Sequence, residues 1–363
     1  MMKNRNPFIL IANNEREYLT SNCSLNKVVL AKLPISGIED SIEGKTVKEV
    51  FGARIIIREI KEKADALNIC VENYKEMDLP KLLDEKIDEG NEVAIGIADK
   101  YGKRLGLMLL VLKTGLAENR AARSDWDDEH WEYWANVENV IIVGGLASGS
   151  MGNRIIDKAI EVFDKAGIPC YNIIKNINSS KIGAKGCLTQ ITGDEKVHIV
   201  FDLGHTKIKR VIAVNENGNN RLIELESAKS INMEWSVEDS QERRRQAEEL
   251  HEYLVNTILD AYYEAEKYGH VGWEIVISMA SYVVDGKIND TRGGYAKLNE
   301  LGDNYAAVLA AELERRLNRS IIISLIHDGT AAALYYKGYE NSVCITAGTS
   351  FGVGFPEINL KGK

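Results

Sequence analysis

Lys196 to Gly218 reads KVHIVFDLGHTKIKRVIAVNENG. Val197, Ile199, Val200 and Phe201 form an apolar run of strand length, and Ile208, Arg210, Ile212 and Val214 alternate along a second run before the turn Asn215-Glu-Asn-Gly218. The stretch therefore predicts a β-hairpin tipped by Asp202-Leu-Gly204-His-Thr206-Lys207. At that tip Gly204 lets the backbone approach a ligand, Thr206 offers a hydroxyl and an N–H, and Lys207 offers positive charge. Asp202 is an oxygen donor suited to Mg²⁺, directly or through water. These are the parts of a polyphosphate cradle, although a plain surface hairpin would carry the same Asp-x-Gly as turn chemistry.

Two further blocks carry chemistry. Ser320–Ile326 predicts a buried strand that delivers His327-Asp328-Gly329-Thr330 to the start of a helix over Ala331–Tyr336. A carboxylate there can accept a proton from a substrate hydroxyl, or it can simply cap the helix. Beyond it, Ser342–Thr346 predicts another strand, ending in the glycine-rich hairpin Ala347-Gly348-Thr349-Ser350-Phe351-Gly352-Val353-Gly354, whose N–H groups suit phosphate oxygens. Earlier in the chain, the strand Asn139–Val143 runs into Gly144-Gly145 and an amphipathic helix reaching Ala166, the geometry in which backbone meets a nucleotide. A dehydrogenase fits that turn less well. The glycine spacing is not GxGxxG, the strand Cys170–Ile174 carries no acidic residue for a ribose, and the Tyr263-x-x-x-Lys267 spacing lies inside a long charged helix.

The rest of the chain sets limits. Its 363 residues exceed one ordinary core, which predicts two domains. The net charge of −9 argues against a nucleic-acid surface. Cys23, Cys70, Cys170, Cys187 and Cys344 include no CxxC pair, which predicts reduced thiols without a zinc knuckle. The longest apolar run, Leu105–Leu112, is too short to span a bilayer, so no membrane partner and a cytoplasmic location are expected. Helical spacing covers Thr46–Leu67, Leu79–Ile87 and Glu92–Leu116, while Phe8–Ala12 and Lys27–Leu33 look β-like. The acids around Trp126, Trp131 and Trp134 read as a solvated turn before a helix, and Arg243-Arg244-Arg245 as a charged helix face.

Taken together, the motifs resemble the actin/Hsp70/sugar-kinase superfamily, and within it the ROK sugar kinases. Asp202-Leu-Gly204-His-Thr206-Lys207 is similar to that family's first phosphate motif, DxGGTK, and His327-Asp328-Gly-Thr-Ala-Ala-Ala-Leu334 to its NDANAAAL catalytic segment. Thr346-Ala-Gly348-Thr349-Ser-Phe-Gly352-Val-Gly354 is similar to its second phosphate motif, LGTGIGGG, and Val143-Gly144-Gly145 to its adenosine turn. Val283-Val-Asp285-Gly286-Lys-Ile288 and Ile182-Gly-Ala184 also have counterparts. The order differs, because the family's closing half comes first here. The chain thus resembles a circularly permuted ROK kinase, cut near Gly362 and rejoined across Thr192–Glu195. It carries neither the ExGH substrate motif nor the CxCGxxGC zinc site, and His327 stands where the family has an Asn that touches the sugar.

The resemblance implies an α/β fold of two RNase-H-like (actin-like ATPase) domains around a cleft, circularly permuted. One domain would be 176–340, the other 1–175 plus 341–363. It implies an ATP-dependent kinase moving the γ-phosphoryl group to a hydroxyl of a sugar or sugar derivative, with ATP and Mg²⁺ as cofactors. Asp202 would hold the metal and Asp328 would be the general base. Gly204, Thr206, Lys207, Gly348, Thr349 and Gly352 would grip the phosphates, with Gly144 and Gly145 at the adenosine. Acceptor contacts are expected from Asn289–Lys297 and near Asp328, and a homodimer is compatible with all of this. The alternatives are a non-catalytic sugar or nucleotide sensor of the same fold and an NAD(P)-dependent oxidoreductase.

Overall fold

A computed structural model describes residues 5–12, 15–175, 181–234, 237–290 and 294–361. Gly362, the expected cut, lies outside the described residues, as do 291–293 of the expected acceptor loop and 176–180 at the start of one expected domain. The protein is mixed α/β. Its two larger sheets use β1 (Asn139–Val143), β2 (Asn172–Lys175), β3 (Val197–Leu203), β4 (Lys207–Glu216), β5 (Asn219–Lys229), β6 (Glu274–Met279), β7 (Ile322–His327), β8 (Ser342–Ala347) and β9 (Phe351–Gly354). Contacts cluster the chain into two compact units. One draws its described residues from Met1–Phe8, Asn22–Ser180 and Gly338–Phe355, the other from Ile9–Ser21, Lys181–Lys337 and Pro356–Lys363. Among the described residues no helix is long and apolar enough to cross a membrane.

The first unit holds a four-stranded sheet in the order β9-β8-β1-β2, with β8, β1 and β2 mutually parallel and β9 antiparallel to β8. Its longest helix, Glu92–Thr114, starts where the Asn91 side chain accepts from the N–H groups of Val93 and Ala94, and ends at Gly115 in the left-handed conformation. The Leu/Met run along it is core, with Leu105 through Leu112 at most 2% exposed apart from Gly106, which is also buried. Gly102 and Gly106 let this helix lie against Gly149–Ala166. A Cβ on Gly106 would stand 2.7 Å from the Ala159 carbonyl oxygen and 2.8 Å from Val162. Gly106→Ala should therefore cost about 1–3 kcal/mol, read as a lower urea midpoint for the unfolding of this unit.

The second unit holds a five-stranded sheet in the order β7-β6-β3-β4-β5. The strands β3, β6 and β7 are parallel, with β7 at the edge, and β4 and β5 fold back as an antiparallel meander. β3 is buried along almost its whole length, as the middle strand of a sheet with helices on its faces must be. One face packs Phe201, Leu203 and Ile277 against Leu254, Ile258 and Leu309 of the helices Ser240–Glu266 and Tyr305–Leu317. The short helices Ile182–Leu188 and Asp328–Leu334 pack against each other so closely that a Cβ on Gly186 would meet the Ala331 carbonyl oxygen at 1.6 Å.

Some expectations need correction. Lys27–Leu33 is not a strand: Leu25–Lys27 is a 3₁₀ turn and Val29 makes a single bridge to Thr46. The helical pattern over Thr46–Leu67 is broken into Val47–Val50, Ala53–Glu62 and Ala64–Leu67. The first break is at Gly52, with φ +117°, where a Cβ would stand 2.6 Å from the Thr349 carbonyl oxygen. Near Trp126 the acids are solvated ahead of a helix, as expected, while the three indoles are buried, at most 5% exposed. Asp127 caps the helix Asp128–Asn136 there. Arg243, Arg244 and Arg245 do form the expected charged helix face, paired with Glu300, Glu248, and Glu242 with Glu249.

Candidate active site

The chemistry-bearing residues gather at the carboxyl ends of parallel strands, where open α/β sheets expose their ligand sites. In the second unit these ends are Leu203 of β3, Met279 of β6 and His327 of β7. Asp202 stands one residue before the end of β3, between two direct cross-strand neighbours, Lys209 on β4 and Ser278 on β6. Strand alternation puts the three side chains on one face. The carboxylate is clamped from both sides: Lys209 Nζ donates to Oδ2 at 2.8 Å and Ser278 Oγ to Oδ1 at 2.8 Å. Burial pushes the Asp202 carboxyl up, but the charge and hydrogen bond of Lys209, the Ser278 hydroxyl and the charge of Lys207 together hold it below the ordinary value.

The hairpin tip is fixed by its carbonyls. Gly204 O accepts from Ser230 Oγ at 2.7 Å and from Tyr295 OH at 3.0 Å, and Gly204 N donates to Lys207 O at 3.1 Å. A Cβ on Gly204 would stand 3.0 Å from that same Lys207 oxygen, so the glycine serves the tightness of the turn. Lys207 is exposed at the start of β4.

Asp328 is the first residue of its helix, not the cap. The cap is His327, whose Nδ1 accepts from Thr330 N–H at 3.4 Å. Burial holds the His327 imidazole neutral, down to about 4, and its ring stacks on Tyr282 with centroids 4.4 Å apart. Its Nε2 lies 3.2 Å from Asp328 Oδ1, which also accepts from Gly329 N–H at 2.6 Å. Oδ1 is thus occupied, and Oδ2 is the oxygen left to act as a base. Burial, followed by the negative charge of Asp202, pushes the Asp328 carboxyl up to about 6, against the pull of Gly329 N–H, His205 and Lys209. Its side chain keeps 35% of its surface accessible, enough for a small substrate group to reach it.

A cavity of about 660 Å³ runs along the edge strand β7, lined by Ile323, Leu325, Asp285, Asn304, His327 and Thr330 among others. Neither Asp202 nor Asp328 lines it. It touches His327 and Thr330, which flank Asp328.

In the first unit, β1 and β8 are parallel neighbours with Val143 opposite Thr346, so Gly144-Gly145 and Gly348-Thr349 emerge side by side. Gly144 has φ +105°, and a Cβ there would meet the Ala347 carbonyl oxygen at 2.4 Å, which makes this glycine a packing requirement. Gly145 has nothing within 4 Å of its Cβ position, and Gly348 only Ser350 O at 3.9 Å, so both leave open space. Gly352 lies on β9, opposite Thr346. The expected site residues therefore form two groups: Asp202, Gly204, Thr206, Lys207 and Asp328 in one unit, and Gly144, Gly145, Gly348, Thr349 and Gly352 in the other.

A magnesium ion suits this donor set only in one way. Both Asp202 oxygens already accept a protein donor, and among the described residues no three His, Cys, Asp or Glu side chains are grouped to hold a metal. Each carboxylate oxygen keeps a second lone pair, so Asp202 would hold through water an ion that retained its waters and arrived on substrate phosphates.

Lys209 and Ser278 were not among the residues singled out from the sequence. The signal for Lys209 was present: a tight turn over 204–206 sets the register that places residue 209 opposite 202. In the Tyr263-x-x-x-Lys267 spacing, Tyr263 is 53% exposed on the helix Ser240–Glu266, and Lys267, which caps that helix, binds Glu264 at 2.6 Å. A search of protein-family models returns no match, and a search of curated proteins returns none.

Proposed function

We propose that the protein is an ATP-dependent phosphotransferase that phosphorylates a hydroxyl of a sugar or sugar derivative, with Mg²⁺ as cofactor. The observation that carries this is the pair Asp202 and Asp328, placed at the ends of parallel strands in one unit and held at opposite protonation tendencies. Asp202 is clamped and kept ionised, while Asp328 is pushed up to about 6. Environments that drive two carboxyls apart assign their roles. Asp328 takes the proton of the acceptor hydroxyl at Oδ2, while Lys207, with the hydroxyl and N–H of Thr206, faces the phosphates. Mg²⁺, when bound with the nucleotide, neutralises part of the phosphate charge. Gly145 and Gly348, with open space at their Cβ positions, suit close approach of a nucleotide to the backbone. The strand order β7-β6-β3-β4-β5 supports an RNase-H-like unit, and the order of motifs along the chain supports a permuted two-domain kinase of ROK type.

The experiment is a coupled ADP-release assay over a panel of sugars and sugar derivatives. Acceptor-dependent ADP release is expected, and ADP release that no acceptor stimulates would point to another activity. A base must be deprotonated to accept a proton. With Asp328 pushed up to about 6, kcat should therefore fall as the pH drops below about 6 and level off above it. A kcat flat from pH 5 to 8 would contradict the base assignment.

A further inference from the structure

Lys209 is built into the site more firmly than a surface lysine needs to be. Its partner is a largely buried carboxylate directly across the ladder, and that carboxylate is braced from the far side by Ser278, which is fully buried. The β4–β5 ladder is also irregular at this residue. Ile208 pairs with Ala228 and Arg210 with Leu225, so Glu226 and Ser227 stand against Lys209 alone. A bulge of this kind bends the strand and re-aims the side chain beside it. Finally, the ammonium has three N–H groups and gives one of them to Asp202, while 40% of the Lys209 side chain remains accessible.

We propose that Lys209 is a resident cation of the phosphate site: its ammonium, held on Asp202, contacts the polyphosphate of the nucleotide and keeps nucleotide binding partly independent of Mg²⁺. The proposal rests on the phosphotransferase reading of the same site. Lys207 lies two residues away on the same face of β4, so the two ammonium groups present a positive edge next to the hairpin tip. Asp202 then serves two ends. It anchors the Lys209 ammonium, and it keeps a lone pair on each oxygen for the water shell of an arriving ion.

The test is isothermal titration calorimetry of ATP into the full chain, once in EDTA and once in MgCl₂, for wild type, Lys209→Met and Lys209→Arg. Wild type is expected to bind ATP in both buffers. Lys209→Met should lose about ten-fold or more in EDTA, the size of one charge-assisted contact, and distinctly less in MgCl₂. Lys209→Arg, which keeps the charge, should recover most of the EDTA affinity. Equal binding by wild type and Lys209→Met in EDTA overturns the role of Lys209 and leaves the phosphotransferase reading standing. Wild-type binding only in MgCl₂ overturns it too, whether or not the methionine variant folds. Wild type that binds ATP in neither buffer removes both.

Discussion

Asp328→Asn should lower turnover by about 10²–10⁴-fold, the range by which a positioned general base accelerates a reaction, while ATP affinity stays within a few-fold of wild type. Asparagine keeps the size of the side chain and can keep the contact with Gly329 N–H, but its amide cannot take a proton from an acceptor hydroxyl. The groups assigned to the phosphates, Thr206, Lys207 and Lys209, lie on or beside a different strand and are untouched by the change. Steady-state kinetics paired with calorimetric ATP binding separates the two effects. Unchanged kcat would remove Asp328 as the base. Loss of ATP binding alongside activity would instead mean that the residue holds the nucleotide site together.

Gly186→Val should be the most damaging single change to the second unit. Even the first atom of a side chain there would overlap the Ala331 carbonyl oxygen, at 1.6 Å. The helix Ile182–Leu188 must therefore move away from Asp328–Leu334, at a cost at or above the roughly 1–3 kcal/mol of ordinary overpacking. Because Ala331 lies one turn from Asp328, the displacement also moves the base. Gly183→Ala is the control. Its Cβ would sit 3.9 Å from Asp202 Oδ2, an ordinary contact, so its melting temperature should stay near that of wild type. Thermal unfolding followed by circular dichroism should show a drop of several degrees for Gly186→Val. A melting curve superimposable on wild type would mean that the two helices are not packed as described.

Much of this was legible in residue order. Apolar runs bounded by glycine or by Asp-Gly place β1, β3, β7 and β8 within a residue or two, and the caps Asn91 and Asp239 mark the starts of the two longest helices. Asp202 and Asp328 are visible because each is a lone carboxylate at the end of an apolar run. What escaped is whatever depends on neighbours far apart in number. Ser278 matters only because β6 lies beside β3, and Lys209 only because of the hairpin register and the bulge opposite it. His327 displaces Asp328 from the cap position because its ring nitrogen reaches Thr330 N–H, a local contact that sequence spacing leaves equally open to the aspartate. The burial of the tryptophans near Trp126 escaped for a related reason. Acids dominate that stretch numerically, yet the indoles pack edge-to-face on Phe8 and on one another while the carboxylates stay in water.

The central claim is that the Asp202–Asp328 pair moves a phosphoryl group onto a hydroxyl. A phosphorus NMR spectrum of the wild-type protein incubated with ATP, Mg²⁺ and a mixture of sugars tests it most directly. The account predicts that the γ-phosphate resonance of ATP declines while a phosphomonoester resonance grows in step with ADP. An unchanged ATP spectrum, or conversion of the γ-phosphate to inorganic phosphate alone, would contradict it.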